Sequence, residues 1–592
     1  MTSPLGFTRP SLPKISRRDL VRAAGLGAGA LAVPSVLTAC SGGDDPGSGE
    51  SAKGVENVPP KELGAETPGV LYADGYIGPR ASAKEKFGDG TTTFKVVVGQ
   101  DATVIGDWNK KNKMTEWFEE RTGVKVEFVS VLTTASDGST DMTKINAMLA
   151  SGELPDAFMG LPFSNDQISL YGQQGVFQPV DDLIATYAPE MRRMEKEYPD
   201  FHSLVQATDG KVYQFAGIND CYHCRSSPGR GWINTEYLDK IGAKVPTTTD
   251  ELRSVLKEMK DNDPTPKKNI IPFGSSVNDQ VDQFVMNAFL YNPGGDINGG
   301  WLALNGGKVE LVAIKDEWRE GLRFLRSLFD DGTVTRETFT MTADTMLQAG
   351  NQGRFGFIRA YWWGSFADVG DGTAPVWKQY AAVPPLKGPD GTQYARWDYY
   401  GYRTDGLLIT SACKQPEILV QWADAQMELE ALMRGYGGEK GNWDWSKEGK
   451  KGINDKQALF NLTVWPAPKS TSWNQESVMY RSNDFRLGQE IDPSAPNFEA
   501  GLYKAGKEYE PFAEPQDMQL PPLIFDESAA ASKADTAASI YQAVRQGIAQ
   551  FAVGEKDVND DKAWDDYKKS FDAMGLSNYL DIYQQAYDKR PK

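Results

Sequence analysis

Histidine is almost missing from this chain: His202 and His223 are the only two among 592 residues. That scarcity excludes histidine-rich metal centres and leaves little material for a Ser-His-Asp triad. Cysteine is nearly as rare, at four residues, so a disulfide-stapled scaffold is excluded and stability must come from hydrophobic cores. Positive charge is in deficit, with 63 Lys and Arg against 81 Asp and Glu and a net charge of −18. A surface of that sign repels phosphate backbones and anionic lipid, so nucleic-acid binding is not expected. Internal repeats and heptad runs are absent.

What is present begins at the N-terminus. Ser16-Arg17-Arg18-Asp19-Leu20 has the form of a twin-arginine export signal. A Gly/Ala/Leu/Val run from Ala23 to Val36 follows, too short and too glycine-rich for a good spanning helix. Leu37-Thr38-Ala39-Cys40 closes it in the lipobox pattern, in which the Cys40 sulfur takes a diacylglycerol and becomes the mature N-terminus. Residues 1–39 are thus expected to be a lipoprotein signal peptide, leaving the chain outside the cytoplasm and anchored to the membrane. They hold five basic residues against one acid, so the exported part lies near −22. Residues 40–90, rich in Gly, Ser, Pro, Glu and Asp, read as a flexible tether.

The body then opens on alternation. Phe94, Val96 and Val98 predict a strand, residues 107–122 a helix stopped by Gly123, and Val124, Val126 and Phe128 a second strand. Strand, helix, strand in one short stretch is a βαβ unit and calls for a parallel sheet. Thr248-Thr249-Asp250-Glu251 is a capping box ahead of Leu252, Val255, Leu256 and Met259 at helical spacing. The last hundred residues carry helical stripes, Ile540, Val544, Ile548 and Phe551 in one and Trp564, Tyr567 and Phe571 in another. The class is α/β.

Five strings, in order, carry a family resemblance: INAMLASGELPD (Ile145–Asp156), DGKVYQFAGI (Asp209–Ile218), RGWINTEYLDKIGAKVPTTTDELRSVLKEMKDND (Arg230–Asp263), GRFGFIRAYWWG (Gly353–Gly364) and the stretch Phe551–Asp588. From about residue 92 onward the chain resembles extracellular solute-binding protein family 1, the sugar-binding lipoproteins that feed ABC importers. The resemblance implies a two-lobe, periplasmic-binding-protein-like fold. Each lobe would be a mainly parallel sheet flanked by helices, with three hinge crossovers. Lobe one would be 91–218 plus 408–470, and lobe two 219–407 plus 471–592. It further implies a monomer that captures an oligosaccharide between the lobes and delivers it to ABC-transporter permease subunits, without cofactor, metal or catalysis.

Sugars are held by aromatic rings against their C–H faces and by Asp, Asn and Arg on their hydroxyls. Tyr361-Trp362-Trp363 follows a strand, and alternation sends adjacent side chains opposite ways, so one of Trp362 and Trp363 should face ligand. Family position favours Trp363. Asp398 and Tyr400 lie in Arg396-Trp397-Asp398-Tyr399-Tyr400, an acceptor flanked by rings. Trp108, at the carboxyl edge of the first strand, and Trp473, near the third crossover, are candidates for ligand or for core packing. Phe163 follows the Phe158 strand, and Asp220 adjoins the first hinge; Trp443 and Trp445 read as packing. Cys221-Tyr222-His223-Cys224 supplies one CxxC where zinc would want four ligands, so outside the cytoplasm a local Cys221–Cys224 disulfide or free thiols remain. Asp261–Asn269 lies where some relatives carry a calcium loop, but it has two prolines, no glycine and two lysines, and no calcium is expected there. A lipid-anchored glycoside hydrolase, or a peptide-binding or sensor protein on the same fold, are the competing readings.

Overall fold

The computed structural model describes residues 55, 58–82, 85–99, 107–109, 111–132, 141–278, 280–295, 299–369, 376–400, 406–464, 467–473, 476–491 and 498–590. Arg17, Arg18, Cys40 and the whole expected signal peptide lie outside them.

Two sheets organise the body. In the first, β1 (Thr93–Gly99) runs parallel between β2 (Lys125–Val131) and β3 (Ala157–Met159). Having a neighbour on each edge and helices on each face, β1 is buried at three successive positions, Val96, Val97 and Val98. The intervening helix Lys113–Thr122 starts where Asn112 accepts from the Met114 N–H, and stops at Gly123 with φ 73°. The sheet is completed by β12 (Gly406–Ile409) and β4 (Phe215–Ala216) in the order β2-β1-β3-β12-β4.

In the second sheet the order is β11 (Tyr380–Val383), β6 (Gly231–Asn234), β10 (Phe355–Arg359), β7 (Ile271–Gly274). Each sheet has one reversed strand. β12 is antiparallel to both its neighbours in the first, and β6 to both of its neighbours in the second. These are the strands by which the chain enters from the other lobe. Parallel strands aim their carboxyl ends at the cleft, so a strand arriving from the hinge starts at that end and must run the opposite way. Around the second sheet pack the hairpin β8 (Leu302–Asn305)–β9 (Lys308–Leu311) and the helices Glu527–Ala552, Asp561–Ala573 and Leu576–Lys589. The two C-terminal apolar stripes read from the sequence lie in that core. Lobe one carries the small hairpin β13 (Trp443–Trp445)–β14 (Phe460–Leu462).

At the hinge β5 (Ile218–Asn219) pairs in parallel with β15 (Tyr480–Arg481), so the segments leading into the first and third crossovers run side by side. This alters the expected boundary. Trp473, Val478 and Tyr480 pack in the core of the first sheet, whereas Phe498, Leu502 and Ala505 pack on the second. Residues 471–473 and 476–487 therefore pack with lobe one, and the chain joins lobe two later than the resemblance implies.

A second correction concerns the tether. Residues 58–82 form a strap on lobe one. Tyr76 is buried against Leu429, Met433 and Phe485, and the Arg80 guanidinium lies over the rings of Tyr72 and Tyr76. The Ile77 N–H donates to Asp484 (2.9 Å), the Gly78 N–H to Glu197 (3.2 Å), and the Lys61 N–H to the Thr186 carbonyl (2.8 Å). Val70, Tyr72 and Tyr76 supply the apolar area that the Gly/Ser/Pro bias of the stretch conceals.

Candidate ligand-binding cleft

A cavity of about 390 Å³ is lined by residues of both lobes. That volume is in the range of small-ligand sites. Lobe one contributes Ser164, Asn165 and Asp166, where β3 gives way to helix Asn165–Gln173. Ser164 and Gln167 form a capping box that fixes this helix start, so Asp166 projects from a defined turn. Lobe two contributes Gly294, Arg396, Asp398, Tyr400, Gln519 and Lys533 among others.

The Asp166 carboxylate accepts from the Lys533 ammonium at 3.0 Å and from the Phe525 N–H at 2.9 Å, two contacts that cross between the lobes. Lys533 is 9% exposed and its ammonium lies 4.0 Å from the Phe525 ring centroid. Opposite, Asp398 accepts from the Tyr400 N–H (3.0 Å) and the Gln519 side chain (3.2 Å). The Arg396 guanidinium lies against Gly294, where a β-carbon would stand 2.4 Å from its Nη1. Gly294 has φ 85°, a left-handed backbone that favours glycine. The Arg396 Nε is buried without a partner among the described residues. Behind this wall, Glu514 is fully buried and accepts from the Trp397 N–H at 2.9 Å. Burial pushes its carboxyl up to about 8, so it is protonated at neutral pH.

Of the side chains expected to meet ligand, Asp398 and Tyr400 line the cavity. Trp363 does not. It is 6% exposed, packed 4.5 Å from Trp232 and 5.2 Å from Trp377, with its indole N–H on the Tyr380 carbonyl. The strand ends at Arg359 and Trp363 opens a 3₁₀ turn, so two-residue alternation does not extend to it. Trp362 is partly buried, edge-on to Phe498, and Tyr361 is the exposed ring of the three. Trp108 and Trp473 are buried with Phe128 and Trp422 in the first core, with no face left for a sugar. Phe163 is half-buried against Phe158 and Phe177. Asp220 is a hinge residue, paired with Arg225 (3.1 Å) and accepting from the Tyr198 hydroxyl (3.2 Å). Asp166, Lys533 and Gln519 are not singled out by sequence, because nothing local marks residues so far apart as neighbours, and Arg396 is passed over although it stands in the same string as Asp398.

Cys221 and Cys224 are joined as a disulfide just after β5. With His223 they are the one potential metal-ligand group among the described residues, but disulfide sulfurs are not thiolate ligands. His223 is buried, which drives its imidazole down to about 3, and Arg486 beside it holds Glu499 through two bonds of 2.9 and 3.0 Å. In the loop Asp261–Asn269, the Asp263 carboxylate accepts from Thr265 and from the Ile270 N–H, and the Lys268 ammonium donates to the Asp263 carbonyl. The loop's own donors thus engage the carboxylate and carbonyl oxygens of Asp263.

A profile described as "Bacterial extracellular solute-binding protein" matches residues 89–426. The chain belongs to this family. Among curated relatives, the fructooligosaccharide ABC transporter substrate-binding protein FusA of Streptococcus pneumoniae is 27% identical over 510 residues, covering 84% of this chain and 90% of FusA. The polygalacturonan/rhamnogalacturonan-binding protein YtcQ of Bacillus subtilis is 27% identical over 258 residues, 42% of this chain and 47% of YtcQ. Among solved structures, FusA in complex with kestose superposes with a TM-score of 0.69 at 24% identity, covering 84% of this chain and 99% of FusA. An HMO-binding, ABC-transporter-associated solute-binding protein from Bifidobacterium longum infantis gives 0.66 at 19%, covering 85% of this chain and 100% of that one. At these identities the structures establish the two-lobe fold. Membership places this solute-binding protein outside the cytoplasm, and its relatives are binding proteins, not enzymes.

Proposed function

We propose that this solute-binding protein is the substrate-binding lipoprotein of an ABC importer, that it captures an oligosaccharide in the cavity between its lobes, and that it hands the sugar to permease subunits. The carrying observation is the cavity itself: polar and charged side chains from both lobes converge on one space, on the fold and at the identity shared with FusA. Closure about the β5–β15 pair would bring Ser164–Asp166 onto Arg396, Asp398 and Tyr400, exclude water and strengthen each hydrogen bond to a sugar hydroxyl. Tyr400 supplies ring area, and Asp398 and Asn165 supply hydroxyl partners. Cys40 would carry the lipid, leaving the body monomeric at the outer face of the membrane. No covalent step is required of any residue.

Isothermal titration of the soluble body, residues 41–592, with a panel of oligosaccharides tests this, with the mixtures analysed chromatographically for products. Saturable one-to-one binding without product is expected. Product formation would replace the binding protein by a hydrolase, and saturable binding of peptides instead of sugars would move the ligand class.

A further inference from the structure

We infer that the interlobe cavity selects neutral oligosaccharides over uronate-containing ones, with Arg396 as its hydroxyl donor and Asp398 as the group that rejects a carboxylate. The inference rests on the oligosaccharide reading above and narrows it. Four charged side chains line the cavity among the described residues: Arg396 and Lys533, Asp166 and Asp398. Their charges cancel. Lys533 and Asp166 are already spent on one another at 3.0 Å, with both side chains largely buried. A ligand therefore meets one guanidinium and one carboxylate.

Arg396 forms part of the cavity wall. Its Nη1 lies against Gly294, whose missing side chain leaves room for it, and its Nε is buried without a partner among the described residues. Glu514, packed beside Trp397, is fully buried and has its own donor in the Trp397 N–H. A planar fork at the cavity wall suits two adjacent hydroxyl oxygens, since Arg presents paired N–H groups in the fixed geometry of its guanidinium.

A uronate would find the same fork attractive but would bring its charge beside Asp398. That carboxylate is anchored by the Tyr400 N–H and the Gln519 side chain and cannot swing away without breaking both bonds. Discrimination by a like charge needs no further contact. The approach works in the same direction, because an exported body near −22 slows anionic ligands.

Competition titrations on the intact soluble body decide it, using kestose as the neutral probe and a trigalacturonate as the anionic one, at low and at physiological salt. Kestose is expected to bind at least about 100-fold more tightly in both salts, a gap of about 2.7 kcal/mol. Arg396→Gln should lower kestose affinity at least about tenfold and Arg396→Lys by less, with melting curves confirming that both fold. Asp398→Asn should raise trigalacturonate affinity. Equal or tighter trigalacturonate binding by the unaltered protein would overturn the selectivity while leaving the oligosaccharide reading intact. Failure of both probes and of every other sugar would overturn the reading on which it rests.

Discussion

Replacing Trp363 with alanine separates a packing residue from a ligand platform. The indole is buried against Trp232, Trp377 and, from helix Phe498–Tyr509, Gly501. Removing it leaves a cavity between the second sheet and that helix, and strands the Tyr380 carbonyl that its N–H now satisfies. Buried Trp→Ala changes cost about 3–5 kcal/mol, and the orphaned carbonyl adds to the cost rather than relieving it. Urea unfolding followed by far-UV circular dichroism should therefore show a large drop in midpoint. Titration of the folded variant with its sugar under native conditions should return the parent's affinity. A variant as stable as the parent that no longer binds would refute the assignment of Trp363 to the core and restore it as a stacking platform.

The Asp166–Lys533 pair should couple the lobes. Asp166→Asn leaves a buried ammonium uncompensated, and breaking such pairs costs about 3–5 kcal/mol, so the urea midpoint should drop and ligand affinity should fall at least about tenfold. Tyr76→Ala should destabilise lobe one by about 3 kcal/mol if the strap is structural, measured as a lower unfolding midpoint; no change would return residues 58–82 to a tether. Two groups of side chains give opposite pH slopes. His223, driven down to about 3 by burial, binds no proton in the folded state where the unfolded chain does, so stability falls as pH drops from 6.5 towards 3. Burial of Glu514 and Asp424 pushes their carboxyls up to about 8 and about 7, so the folded chain holds protons the unfolded chain has lost. Stability therefore falls as pH rises from about 4 to 8 on their account. Glu514→Gln should flatten that upper limb in melts taken from pH 5 to 9, and an unchanged slope would contradict its burial-raised carboxyl.

Local signals in the sequence carried most of the fold. The alternation of Phe94, Val96 and Val98, the stop at Gly123 and the Thr248 cap each correspond to an element found in place. Those features act within one turn or one strand, and the physics that produces them is equally local. The cleft was less legible. Asp398 and Tyr400 could be picked out because an acceptor between rings is a short-range pattern. Asp166 meets Lys533 only because a capped helix in one lobe faces a long helix in the other, and no spacing announces that. Trp363 departs from the expected alternation because its strand ends at Arg359, four residues before it. The strap was misread because three well-placed apolar side chains outweigh a polar composition.

The central claim is that ligand is taken between two lobes that close on it. It is tested most directly by the distance between spin labels at Gln174→Cys in lobe one and Lys244→Cys in lobe two, both exposed positions. The native cysteines of the soluble body leave these labels specific, since Cys413 is buried and Cys221 and Cys224 are joined. Pulsed dipolar spectroscopy with and without a bound oligosaccharide should show the inter-label distribution shorten and narrow on binding. A distribution unchanged at saturating sugar would contradict closure and place the binding site on one lobe alone.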